Sequence, residues 1–557
     1  MKENKQVSRR KFLTYLGAGA ASLALSPGSF GLSIERANAY TLPENLFKHQ
    51  TSKLSSSFHS ILATNQDQLV VPQSIQFDVV AAYGDVINSN GDTYGFNNGY
   101  TCFFPIEGSS NHGLLWVSHE STNSLWVEGQ KEFGHYSLEQ KNKLLYNQGG
   151  SIIEVYRNQE GAWKMDKTSP YARRITGLDA FQLTGPARGA RGVHGGSRVQ
   201  GTFAGGAGGK TLWNTVLSCE KNIEATCQAN GFDATHYGWI VEIDPFNLQA
   251  EPVKHTALGR IHHSFAAMDL TKDQRIVVYM GDDTAHSCLF KFISKGKYDK
   301  SRGKDNKELL TDGTLLAANL EEGKWIELTI EDVKKVLNDH QYTPPASIGK
   351  TRTELIQQFN EQADILIYAH EAALLLGATA TDRLIDVTIH PKDRSIFIAH
   401  AHNFDHGNLH GQIAMLVEKN ADLGAREFEF EQIVTGGKQA GFSSPSNLVF
   451  DSKGNLWITT TIPSDRLNKG MHASFKNNGL FVITNKKENL YTGTQFASAP
   501  VEAELNGLTF SPNEQTLFLT IQHPGELSKS TSQPTSMWPH RMGDNMPRPA
   551  LVALRGF

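Results

Sequence analysis

FDSKGNLWIT, running from Phe450 to Thr459, decides the fold: an apolar strand end, a polar turn from Asp451 to Asn455, and a second strand that opens at Leu456. Asp, Gly and Asn supply the tight-turn conformations, and the β-branched and aromatic residues behind them suit a half-buried strand. The same composite recurs as MDLTKDQRIVV (268–278), IHPKDRSIFIA (389–399) and FSPNEQTLFLT (510–520). The last three copies in chain order lie roughly 60 residues apart, a spacing that suits propeller blades of four strands with loops. The expected fold is therefore all-β, a β-propeller. Helical spacing of apolar residues is concentrated between Ile330 and Leu376, in EDVKKVL (331–337) and RTELIQQF (352–359), which predicts a helical insertion at about 330–376. Residues 40–75 read as an irregular lead-in, and Ser528 to Pro549 as a long polar loop.

At the N-terminus, SRRKFL (8–13) precedes an uncharged stretch from Thr14 to Leu25 and the small-residue site Ala37-Asn38-Ala39. This pattern reads as a twin-arginine signal peptide over residues 1–39, cleaved after Ala39. The expected partner is the twin-arginine export machinery, with the mature chain, 40–557, a single propeller domain in the periplasm or outside the cell. No later segment approaches ~18 consecutive apolar residues, so no stable membrane anchor is expected. A net charge of −4 over 557 residues offers no basic field for nucleic acid. A propeller has no obligatory partner, and a monomer is the default expectation.

Several familiar chemistries lack their sequence support. AGGAGGKT (204–211) nearly matches a phosphate-binding loop, but such a loop should open a helix, whereas LWNTVL (212–217) reads as strand. A glycine-rich loop between blades is the expected role. No nucleophile elbow, zinc-binding HExxH helix or paired CxxC occurs. Ligand-type side chains do recur near strand ends and turns: Glu120, Cys219, Glu220, Asp282, Asp283, Asp386, Asn447 and Glu504. Corresponding strand ends of a propeller converge on its channel, where such a set suits hard cations with a transition metal beside them. The four cysteines, Cys102, Cys219, Cys227 and Cys288, are too few for a disulfide framework. Cys219 is open to pairing with Cys227 or to acting as a metal ligand.

The motifs VSHE (117–120), LTGPARG (183–189), TVLSCE (215–220), HYGWIVEIDP (236–245), GDD (281–283), GATATDR (377–383), SPSN (444–447) and QHPGE (522–526) resemble, in order, those of the PhoX-type alkaline phosphatases. The resemblance covers nearly the whole mature chain. It implies a six-bladed propeller whose channel holds Ca²⁺ and Fe³⁺ and hydrolyses small phosphate monoesters, or diesters. It further implies that Cys219 is the iron-binding thiolate, that Glu120, Glu220, Asp282 or Asp283, and Glu504 supply oxygens to the metals, and that Arg383 faces the phosphoryl oxygens, with Arg260 and Lys210 as weaker candidates. The implied chemistry is metal-assisted displacement at phosphorus.

Departures from that pattern bear on the metals. Ser264 in GRIHHS (259–264) stands where the family has Glu, and DRLI (382–385) replaces Asp-Arg-Pro-Glu, with Asp386 one position later. Thr202-Phe203 replaces Asn-Cys, and Ser446 replaces an Asp. Each lost carboxylate removes negative charge that would balance a cation, so the implied ion set is smaller or different. Adjacent strand residues face opposite sides, and Asp386 can serve only through a bulge or register change. His262 and His263 either turn the site toward a transition metal or act as ordinary hydrogen-bonding residues. Three readings follow: a secreted metal-dependent phosphatase, a metal-binding propeller with altered hydrolase or redox chemistry, and a non-catalytic calcium-binding propeller.

Overall fold

The computed structural model describes residues 60–129, 136–484 and 491–557. The signal segment and the first part of the lead-in lie outside the described residues. The strands form six antiparallel-rich sheets. Sheet 1 holds Asn98–Pro105, His112–His119, Gly149–Arg157 and Trp163–Asp166; sheet 2 runs outward from Gly205–Lys210 through Val216–Glu220, Ile240–Ile243 and Val253–His255. Sheet 3 begins with His263–Leu270 and Arg275–Asp282, sheet 4 with Leu384–Ile389 and Ile396–His400, and sheet 5 with Pro445–Phe450 and Leu456–Thr460. Sheet 6 begins with Glu504–Phe510 and Thr516–Gln522, continues with Ala550–Arg555, and takes Gln76–Ala82 as its outermost strand. The first strands of successive sheets contact one another in a closed cycle, sheet 6 returning to sheet 1. The molecule is a β-propeller, and the pairing of Gln76–Ala82 with the last strand ties the two ends of the described chain into one sheet.

Each of the four repeats recognised in the sequence is the turn joining the two innermost strands of a sheet. Their alternating apolar residues fill the layers between sheets: Trp457, Leu517 and Leu519 between sheets 5 and 6, and Ile396, Ile398 and Val277 between sheets 3 and 4. The helices Ile330–Asn338, Arg352–Gln358, Gln362–Ile367 and Ala369–Leu375 lie in the chain between sheets 3 and 4. Val333, Leu337, Leu355, Ile365 and Ala369 pack them against strands of sheets 2 and 3.

The glycine-rich stretch corrects the sequence reading. Gly205–Lys210 is the innermost strand of sheet 2, and the following strand starts only at Val216. Crowding at the axis is the reason: a Cβ on Gly209 would sit 1.8 Å from the Ala266 carbonyl oxygen of the next inner strand. Here glycine serves close backbone approach, in keeping with its role inside strands.

Candidate active site

All six innermost hairpins end at one rim. Asn98 pairs with His119, Gly205 with Glu220, His263 with Asp282, Leu384 with His400, Pro445 with Thr460, and Glu504 with Gln522. Every one of these pairings carries a register shift within its last few residues before the rim. Bulges bend a strand and re-aim its side chains, and they cluster beside functional sites.

A charged network crosses this rim. Asp283, one residue past its strand, accepts Arg383 Nε at 2.9 Å and Nη2 at 3.3 Å, and its other neighbour is Lys221 Nζ at 3.4 Å. Lys221 in turn lies 3.4 Å from Glu120 Oε1, and Glu120 Oε2 accepts Gln522 Nε2 at 2.8 Å. Beside Gln522, His523 Nε2 stands 3.8 Å from Glu504 Oε1, which also accepts Thr461 Oγ1 at 2.7 Å. Every sheet therefore contributes: Glu120 from sheet 1, Lys221 from 2, Asp283 from 3, Arg383 from 4, Thr461 from 5, and Glu504, Gln522 and His523 from 6. Gly206 makes room for the centre, since a Cβ there would lie 2.6 Å from the Glu120 carboxyl carbon and 2.7 Å from Lys221 Cε.

The network fixes its own charges. Burial pulls the Lys221 ammonium toward neutrality, but the carboxylates of Glu120 and Asp283 outweigh it and hold the pKa above the lysine value. Burial disfavours the Asp283 anion, and Lys221 with Arg383 overcomes that, holding its pKa below the ordinary range. Arg383 is raised despite its own desolvation, chiefly by Asp283. On the sheet 6 side the balance is negative. Burial raises Glu504, helped by the charges of Glu526 and Glu120, while Glu526 and Glu504 together hold His523 above the usual histidine value against desolvation.

Deeper in the channel, Asp386 and Asn447 latch neighbouring inner strands together. Asp386 Oδ2 accepts the Leu448 amide at 2.8 Å, and Asn447 Oδ1 accepts the Gly507 amide at 2.8 Å. The required register change is present between Leu384 and Asp386. Enclosure pushes the Asp386 carboxyl up to about 7 even though Leu448, Val387 and Asn447 donate to it. The Cys219 thiol is fully buried, and burial first, then the nearby Asp386 charge, drives its pKa far up. All four cysteines are free and buried, so the pairing of Cys219 with Cys227 does not occur.

Other predicted residues are not brought to this network. Glu220, across a register shift from Cys219, has one oxygen that accepts Lys254 Nζ at 2.8 Å and Thr202 Oγ1 at 2.8 Å and another that accepts the Gly238 and Trp239 amides. Its carboxylate is thus saturated by donors within sheet 2. Asp282 faces away from Asp283, accepting the His262 amide at 3.1 Å and the Nδ1 of His370, which anchors the helical insertion to sheet 3. Arg260 donates Nε to the Tyr237 and Ala234 carbonyls. Lys210 sits at the far end of its strand, about 17 Å from Gly205 at ~3.3 Å per residue, donating to the Phe103 carbonyl at 3.1 Å. His263 is held by the Gly259 carbonyl at 2.9 Å and burial lowers its pKa to about 4, while His262 pairs with Glu224 at 3.3 Å. Sequence reasoning missed Lys221, His370 and His523. Lys221 directly follows the Cys-Glu pair and His523 lies inside QHPGE, so the motifs carried two of the three signals.

The profile of the family described as alkaline phosphatase PhoX matches residues 56–525. The chain belongs to the PhoX alkaline phosphatase family. Among solved structures, Pseudomonas fluorescens PhoX in complex with vanadate, a transition state analogue, is similar at 29% identity over 89% of this chain and 97% of that one, with a TM-score of 0.77. A Xanthomonas campestris gluconolactonase matches at 8% identity over 83% of this chain and 96% of its own, with a TM-score of 0.31. The Pseudomonas aeruginosa periplasmic gluconolactonase PpgL matches at 11% identity over 67% and 71%, with a TM-score of 0.29. No curated protein matches the chain. As a PhoX alkaline phosphatase the protein is a metal-dependent phosphoric ester hydrolase.

Among the described residues no group of three His, Cys, Asp or Glu side chains forms a ready metal cage. Glu504 and Glu526 flank the His523 imidazole at 3.8 and 3.4 Å, so a cation fits between these acids only with the ring unprotonated. Cys219, fully buried in the apolar layer between sheets 2 and 3, offers one thiol in electrostatic reach of Asp386. Between Glu120 and Asp283 a cation does not fit, since Lys221 stands there.

Proposed function

We propose that the protein is an exported phosphomonoesterase whose phosphoryl site is the rim network of Lys221 and Arg383 on Asp283. The observation that carries this reading is the pair of permanent cations fixed by one buried carboxylate at the mouth of a PhoX-family channel. A phosphate ester brings up to two negative charges, and Asp283 occupies only two of the five guanidinium donors, leaving the rest for phosphoryl oxygens. Because Asp283 and Glu120 orient both cations before substrate arrives, little reorganisation remains to be done as charge builds on the transferring group. Glu504, with Glu526, supports the binding of calcium, and Cys219 that of iron. When bound, these ions supply Lewis-acid neutralisation of phosphoryl charge. His523, whose pKa Glu526 and Glu504 raise against burial, stands with Nε2 3.8 Å from Glu504.

Export through the twin-arginine pathway rests on Arg9 and Arg10 and on the small-residue site ending at Ala39. Among the described residues no helix is long and apolar enough to cross a membrane. The test is p-nitrophenyl phosphate turnover by protein recovered from the periplasm, with metal analysis and with or without added Ca²⁺. Turnover that rises with Ca²⁺ supports the reading; protein that carries its metals and turns over no phosphate monoester refutes it.

A further inference from the structure

We infer that the Lys221 ammonium takes the place of one divalent cation, so that this enzyme binds one fewer metal ion than its carboxylates alone would call for. The inference rests on the rim network being the phosphoryl site, but its test does not.

Three observations on the molecule carry it. Lys221 Nζ lies 3.4 Å from a carboxylate oxygen of Glu120 and 3.4 Å from one of Asp283, bridging acids from sheets 1 and 3 as a bound cation would. Its side chain is only 14% exposed and Asp283 only 1%, so the ammonium is part of the channel wall and not a surface charge resting on it. The aliphatic stem and the Glu120 carboxyl occupy the volume that the missing Cβ of Gly206 leaves open. A lysine is a compact point charge on a flexible stem, well suited to stand where an ion would, and it cannot be removed by a chelator.

The charge count agrees. Glu120 and Asp283 contribute −2, Lys221 and Arg383 +2, so the quartet is neutral without any metal ion. A divalent cation added between the two acids would need oxygen contacts of about 2.3–2.6 Å and would meet a fixed like charge beside it. The acids left for a cation are Glu504 and Glu526, on either side of His523.

The experiment counts calcium ions by titration calorimetry on full-length mature protein stripped with a chelator, comparing the unsubstituted chain with Lys221→Glu. The substitution removes the positive charge and adds a third carboxylate, and it is expected to bind one additional equivalent of Ca²⁺ and to gain thermal stability on calcium addition beyond the gain of the parent. Equal stoichiometry in the two folded proteins overturns the inference. If Lys221→Glu does not fold, Lys221→Gln, which supplies a neutral oxygen ligand, is titrated in its place with the same two outcomes. Anomalous scattering from calcium-soaked crystals of the unsubstituted protein gives an independent reading: a cation bonded to both Glu120 and Asp283 overturns the inference, and a cation at Glu504 alone supports it. Ion counting needs no turnover, so failure of the phosphatase reading and failure of this one are told apart.

Discussion

Glu220→Gln separates a structural acid from a metal ligand. Four donors converge on the Glu220 carboxylate: Lys254 Nζ and Thr202 Oγ1 on one oxygen, and the amides of Gly238 at 3.0 Å and Trp239 at 3.2 Å on the other. Both charged side chains of the pair are 0% exposed. Glutamine keeps one accepting oxygen, so in either orientation two of these donors face an NH₂ group that cannot accept. Lys254 retains the His236 carbonyl at 3.2 Å and the Tyr237 ring at 4.2 Å, but no counter-charge. Breaking a buried pair from one side costs about 3–5 kcal/mol, and the two stranded donors, at about 1–3 kcal/mol each, place the expected loss toward the upper end of that range. The assay is urea unfolding followed by tryptophan fluorescence, alongside calcium and iron content per chain. The expected result is a lower unfolding midpoint with metal content unchanged. A full-stability variant that has lost a metal ion would refute the structural assignment of Glu220.

Further outcomes follow from the same geometry. Arg383→Met should lower kcat by about 10²–10³, the loss typical when one preorganised charge-stabilising donor is removed. Its stability should change little, because Asp283 keeps Lys221 as a partner; comparable losses of folding and turnover would contradict the phosphoryl role. Cys219→Ser should lose iron and activity together, at a stability cost of about 1–3 kcal/mol for burying a hydroxyl in an apolar site, and full activity in that variant counts against a thiolate ligand. Replacing Arg9 and Arg10 together by Lys should leave the enzyme in the cytoplasm, as read by fractionation; unchanged export would remove the twin-arginine assignment.

The fold was legible because the innermost hairpins repeat a local pattern, apolar strand end, polar turn, alternating strand, and each repeat maps onto one sheet. What escaped is set by contacts between sheets. Gly205–Lys210 carries no β-forming side chains, and only the closeness of Ala266 and of the Glu120–Lys221 pair explains why glycine makes that strand. Neighbouring ligand-type residues could be named but not assigned partners: Asp282 accepts from His262 and His370 while Asp283 holds Lys221 and Arg383, and Glu220 pairs with Lys254 while Cys219 lies in an apolar layer. Lys221 escaped because a lone lysine after Cys-Glu reads as a solvated charge until acids from two other sheets are seen on either side of it. Asp386 was the converse case, its need for a register change foreseen from strand alternation and met by the bulge after Leu384.

The most direct test of the rim as the phosphoryl site is a crystal structure of this protein soaked with orthovanadate. Vanadate oxygens are expected within hydrogen-bond distance of the Arg383 guanidinium and the Lys221 ammonium, above Asp283. Vanadate bound elsewhere in the channel, with the Lys221, Asp283 and Arg383 contacts intact and untouched, would contradict it.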